Sequence, residues 1–343
     1  MTRILTFVTF VVVIGLCALG AQSPAVSSVV RLDPALDEII AVETKAELLK
    51  GNYFGFLEGP AWVRDGGRGY LLFSDVPANN IYKWAPDGSL SVFLEQSGYT
   101  GTDTENVGGQ VFNGRLHLVT LGSNGVTLDR ARRVVFAAHG NRTVERLEMD
   151  GRRTVLADRY EGRRLNSPND LVMKSNGSLY FTDPPGGLRG GARSPAKELP
   201  YSGVFLLKDG KLQALVRDPD AFPNGIALSP DEKFLYVNGD RKIMRYAIKA
   251  DDTIGNGQLF IDMTADPAPG GTDGMKVDQN GNVYCTAPGG VWIISPAGKH
   301  LGTIRPPEQP ANLAFGDADA KSLYLTARQS LYRIRTKIPG ILP

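Results

Sequence analysis

Short apolar runs alternate with polar turns along this chain, and one pattern keeps returning. A small or polar start, one carboxylate or carboxamide and a short apolar strand make up Leu57-Glu58-Gly59-Pro60-Ala61-Trp62-Val63. The same form recurs at Ser123-Asn124-Gly125-Val126, Pro168-Asn169-Asp170-Leu171, Pro223-Asn224-Gly225-Ile226, Thr272-Asp273-Gly274-Met275 and Ala311-Asn312-Leu313-Ala314. Behind each comes a second apolar strand: Tyr70 to Ser74, Val134 to Ala138, Leu179 to Thr182, Leu235 to Asn238, Val283 to Thr286 and Leu323 to Thr326. Six such units at intervals of roughly 40–65 residues, with no helical pattern between them, predict an all-β, six-bladed β-propeller. Its blades are four-stranded, surround a central channel and start near Glu58, Asn124, Pro168, Pro223, Thr272 and Ala311.

In a propeller the first strand of each blade lines the channel. The polar residues that open the units therefore converge at one depth: Glu58, Asn124, Asn169, Asn224, Asp273 and Asn312. Taken singly, Asn-Gly, Asp-Gly and Asn-Asp are ordinary turn punctuation. Six in register argue for a shared axis. Carboxylates and carboxamides crowded into a channel need a compensating charge. They offer only oxygen, which suits a hard cation, Ca²⁺ best.

The stretches Glu58-Gly59-Pro60, Arg164-Leu165-Asn166-Ser167-Pro168-Asn169-Asp170, Tyr180-Phe181-Thr182-Asp183-Pro184-Pro185-Gly186, Pro223-Asn224-Gly225 and Asp273-Gly274-Met275 add a resemblance. From about Glu58 to about Arg335 the chain resembles the senescence marker protein, gluconolactonase and luciferin-regenerating family, nearest its bacterial gluconolactonase branch. The resemblance implies that Glu58, Asn169, Asn224 and Asp273 bind one divalent metal, usually Ca²⁺, with Zn²⁺, Mn²⁺ and Mg²⁺ as alternatives. It also implies a hydrolase that opens small sugar lactones or similar esters. The metal would polarise the carbonyl, and Asp273 would act as base or nucleophile. His139, in Ala138-His139-Gly140, is the alternative base, since a matching His-Gly recurs in related lactonases. Asn124, Asp183, Asn312 and Asp103 are expected to contact substrate. Two other readings stand beside this one: an organophosphorus hydrolase using the same cage, and a non-catalytic propeller that binds partners through its top face.

Composition narrows the picture further. With 40 Gly and 22 Pro among 343 residues, tight turns outnumber long helices. A formal net charge of +2 without a basic stripe argues against nucleic acid as a partner. Residues 1–21 read as a signal peptide, leaving 22–343 as one propeller domain that is periplasmic or secreted and free of the membrane after cleavage. An uncleaved anchor is the other reading of that run. Cleavage would leave Cys285 alone, so no intramolecular disulfide forms, and its apolar strand predicts a buried thiol. The lead-in before Asn52 reads equally as a strand closing the last blade or as a short helix. Ser97 to Gly122 is long for a blade connection and contains a hairpin pattern around Asn113-Gly114; it is expected either to lie over the channel mouth or to be surface decoration.

Overall fold

A computed structural model describes residues 28–343; the expected signal peptide lies outside the described residues. Six antiparallel sheets radiate from one axis. From axis to rim, blade 1 is Leu57–Asp65, Arg68–Asp75, Asn80–Trp84 and Leu90–Glu95. Blade 2 is Val126–Leu128, Val134–Ala138, Thr143–Leu147 and Arg153–Ala157. Blade 3 is Leu171–Met173, Leu179–Asp183, Ser202–Lys208 and Lys211–Asp218. Blade 4 is Ile226–Leu228, Phe234–Gly239, Lys242–Ala247 and Gln258–Asp262. Blade 5 is Met275–Val277, Val283–Ala287, Gly290–Ile294 and His300–Arg305. Blade 6 is Asn312–Gly316, Ser322–Ala327 and Ser330–Arg335, completed by Glu47–Lys50 from the lead-in. The innermost strands touch in sequence right around the ring.

The second strands are near-continuous apolar runs because both of their faces are covered by neighbouring blades. Val134–Ala138 is buried at every position. The apolar clusters accordingly lie between blades: Tyr180, Val204 and Leu206 of blade 3 meet Ile226, Leu235 and Val237 of blade 4. Trp62 of blade 1 stacks on Tyr324 of blade 6 with ring centroids 5.5 Å apart. Cys285 is fully buried in one such layer.

The lead-in supplies both alternatives read from the sequence, at different places. Pro34–Glu38 is a 3₁₀ turn capped by Asp33, whose side chain accepts from Ala35 N at 2.8 Å, and it buries Leu36, Ile39 and Ile40 beneath blades 5 and 6. The closing strand is Glu47–Lys50, registering Glu47 with Arg333 and Leu48 with Tyr332. Ser28–Arg31 adds a fifth strand to the rim of blade 5 and covers that edge.

Candidate functional site

The polar residues before each inner strand gather at the axis because their backbones are clamped from the side. Ser74 Oγ donates to Asn124 O at 2.8 Å, and Thr182 Oγ1 donates to Asn224 O at 2.7 Å. Asn238 Nδ2 donates to Asp273 O, and Thr286 Oγ1 donates to Ala311 O at 3.2 Å. Thus the polar residue near the end of one blade's second strand holds the axial residue of the next blade, or the residue beside it. The glycines after the axial residues serve the same packing. Gly59 has φ +44°, and a Cβ there would overlap the carbonyl of Asn124; a Cβ on Gly225 would overlap the carbonyl of Asp273. These Gly positions are close approaches between blades as much as turns.

Glu58, Asn124, Asn169 and Asn312 are buried, whereas Asn224 and Asp273 are half-buried. Oδ1 of Asn124, Asn169, Asn224 and Asp273 and Oδ2 of Asp170 have no hydrogen-bond partner. Leaving one buried acceptor unpaired costs about 1–3 kcal/mol, so five together mark a site that expects something electropositive. The carboxyls respond to each other. Burial pushes Glu58 up to about 7, against the lowering contact from Asn312, with the Asp170 charge raising it further. Asp273 is pushed well up by burial, then by Glu58 and Asp170. In this arrangement the Glu58–Asp273 pair favours holding a proton between its members. Among the described residues no group of three His, Cys, Asp or Glu side chains is disposed to hold a metal. A cation here would depend on the carboxamides, and an oxygen-only donor set with unpaired lone pairs fits a divalent hard cation.

Other predicted residues fall elsewhere. Asn312 turns its Nδ2 to Glu58 Oε2 at 3.3 Å while its Oδ1 accepts from Leu313 N, so it orients Glu58. Asp183 is fully buried; its two oxygens accept from Asn166 N and Ser167 N at 2.8 Å each, holding the loop that carries Asn169 and leaving no side chain for substrate. Asp103 is exposed, and its Oδ1 caps Glu105 N. His139 is 4% exposed, with Nδ1 3.2 Å from Pro168 O, and burial lowers its pKa to about 4. Its Nε2 side lies against Gly187. Sequence reasoning passed over Asp170 and Lys276. Asp170 Oδ2 lies 3.9 Å from Lys276 Nζ, and its Oδ1 accepts from Leu171 N at 2.9 Å. An Asp directly after an axial Asn was the available signal.

The Ser97 to Gly122 segment spans the channel mouth. Gly108 N donates to Gly187 O at 2.8 Å on the blade 3 side. Its hairpin, Gln110–Phe112 with His117–Val119, reaches the far side, where Asn113 Nδ2 donates to Gly55 O at 3.1 Å and Asn113 O accepts from Gln329 Nε2 at 3.3 Å. Under the hairpin is a cavity of about 200 Å³, lined by Phe56, Phe112, Thr272, Asp273, Gln309 and Arg328 among others. A larger space, about 790 Å³, is lined jointly by the insertion and the Gly186–Gly191 loop where the two meet. An apolar one of about 380 Å³ fills the opposite end of the channel behind Ile341 and Leu342. Of the axial residues, only Asp273 borders one of these spaces, the smallest of the three.

The SMP-30/Gluconolactonase/LRE-like region matches residues 56–329 of this chain. The chain belongs to that family. Within it, the chain is 37% identical over 327 residues to a gluconolactonase from Zymomonas mobilis, covering 92% of this chain and 88% of that protein. A gluconolactonase structure from Xanthomonas campestris superposes with a TM-score of 0.73 at 27% identity, covering 92% of this chain and 99% of that one. A diisopropyl-fluorophosphatase from Loligo vulgaris is 24% identical over 217 residues, covering 60% of this chain and 68% of that protein.

Proposed function

We propose that this chain is a divalent-cation-dependent hydrolase of gluconolactonase type, opening sugar lactones and similar small cyclic esters. The observation that carries the reading is the set of unpartnered axial oxygens beside a small roofed cavity bordered by Asp273. The identity with the Zymomonas gluconolactonase supports the substrate class. Glu58, Asn169, Asn224 and Asp273 would hold the cation, Ca²⁺ by donor chemistry, with Asn124 and Asp170 as further oxygen donors. When bound, such a cation supplies a Lewis acid for the lactone carbonyl.

The remaining work falls to the protein. Asp273 keeps one oxygen unpaired, and we assign it the base role: it takes a proton from the water that attacks the carbonyl carbon. Ring opening then breaks the acyl C–O bond, and the proton passes to the departing alkoxide, giving a hydroxy acid. Asn312 keeps Glu58 turned toward the axis. The hairpin roof limits water at the reacting centre. His139, neutral and directed at Pro168 and Gly187, has no part in this step. Residues 1–21 support a periplasmic or secreted location, which amino-terminal sequencing of the mature protein would test.

The test is the rate of D-glucono-1,5-lactone opening, followed by proton release, before and after chelation and after Ca²⁺ is returned. Loss and recovery are expected, and Asp273→Asn should fall by at least about 10²-fold. Activity indifferent to the chelator would remove the cation from the account. Label from ¹⁸O water retained on Asp273 after one turnover would make Asp273 the nucleophile instead. The Loligo relative motivates a second substrate, a dialkyl fluorophosphate; faster turnover of that ester than of any lactone would favour the second reading.

A further inference from the structure

The cavity beside Asp273 carries a charge that the proposed ring opening does not use. Arg328, in the turn between the second and third strands of blade 6, lines the same small cavity and is half-buried. Its guanidinium lies against Gly114 at the tip of the roofing hairpin. No salt bridge or side-chain hydrogen bond of Arg328 is present among the described residues, and it is the only Lys, Arg or His bordering this cavity. Glu308, which reaches the residue beside Arg328, is already occupied: Gln329 N, Ser330 Oγ and Tyr332 OH donate to it. The side-chain hydrogen bonds of Asp273 run to Asn224 and Glu58, and no ion pair joins it to this arginine among the described residues.

A half-buried guanidinium with free donors is a bidentate receptor for a carboxylate, sulfonate or phosphate. The surroundings make that choice sharper. Asp273 is the one carboxyl that borders this cavity, so an anionic substituent is best placed where the arginine answers it.

We propose that Arg328 is a specificity residue, and that the preferred substrates are lactones carrying an anionic group remote from the ring carbonyl. This rests on the lactonase reading above. The matched probes are D-glucono-1,4-lactone and D-glucaro-1,4-lactone, which differ only in a hydroxymethyl against a carboxylate. Wild-type protein is expected to favour the glucaro-lactone in kcat/KM. In Arg328→Gln the glucaro-to-gluco ratio should fall roughly 10- to 100-fold, with KM carrying most of it, and Arg328→Lys should restore part. A ratio that moves less than about threefold overturns the proposal, as does an equal slowing of both lactones. Should wild-type protein open neither lactone, the lactonase reading fails and binding decides the anion site. Calorimetry would then compare glucarate with gluconate: a preference for glucarate lost in Arg328→Gln upholds it, and no preference rejects it.

Discussion

Replacing His139 by asparagine isolates the titration of one buried imidazole. A carbonyl can only accept, so the 3.2 Å contact with Pro168 O places the proton of the neutral ring on Nδ1. Asparagine keeps a donor at that position. Burial lowers the histidine from 6.5 to about 4. Between those two values the unfolded chain holds a proton and the folded chain does not. Stability is therefore lost as pH falls through the window, at about 1.4 kcal/mol per pH unit, or about 3 kcal/mol across it. Asp183 and Glu58, both raised to about 7, act in the opposite sense: their neutral forms favour the fold, and that stability is lost as pH rises toward 7. The diagnostic is consequently the difference between wild type and His139→Asn in urea unfolding at about pH 7.5, 6 and 4.5. The variant should gain about 2–3 kcal/mol relative to wild type on going from the highest to the lowest pH. A difference that stays level within about 0.5 kcal/mol would refute a buried neutral ring and return His139 to the list of groups able to exchange protons.

Three further outcomes follow from the same geometry. Asp183→Asn should cost about 1–3 kcal/mol, because one of its two backbone partners, Asn166 N or Ser167 N, would face an amide N–H; cation affinity should weaken with it, read by thermal melts and calorimetry, although Asp183 touches no cation ligand directly. Phe112→Ala, at a 47% exposed roof position, should shift KM several-fold while leaving Tm almost unmoved; unchanged kinetics would reduce the hairpin to decoration. Gly59→Ala should destabilise the protein by about 2–4 kcal/mol in denaturant titrations, combining a left-handed φ with overlap on Asn124; a near-neutral effect would show that blades 1 and 2 can separate at the axis.

The blades were legible because their chemistry repeats. Each axial residue precedes an apolar strand, and Asn-Gly or Asp-Gly recurs where neighbouring backbones nearly touch. The clamping residues were equally visible, since Ser74, Thr182, Asn238 and Thr286 lie near the ends of their strands, yet their partners lie on the next blade and no local pattern names them. Asp183 resembled a mouth residue because Pro184 and Pro185 follow it; what fixes its role is the need of two buried amides for an acceptor. Asp103 answers to a local turn only. Asp170 was hidden behind Asn169, as one axial position per blade is all that periodicity assigns. Loop length foretold the insertion but not its direction, which its contacts with Gly187, Gly55 and Gln329 determine. Arg328 had no sequence signal, because only the hairpin resting on it forms its cavity.

The axial oxygens are the centre of the account, and Ca²⁺ titrated into chelator-stripped protein by calorimetry tests them directly. Wild-type protein should bind one ion per chain at the axis, and Glu58→Gln should bind it at least about tenfold more weakly, having lost a carboxylate charge from the donor set. No binding by wild type, or equal affinity in both proteins, would contradict it.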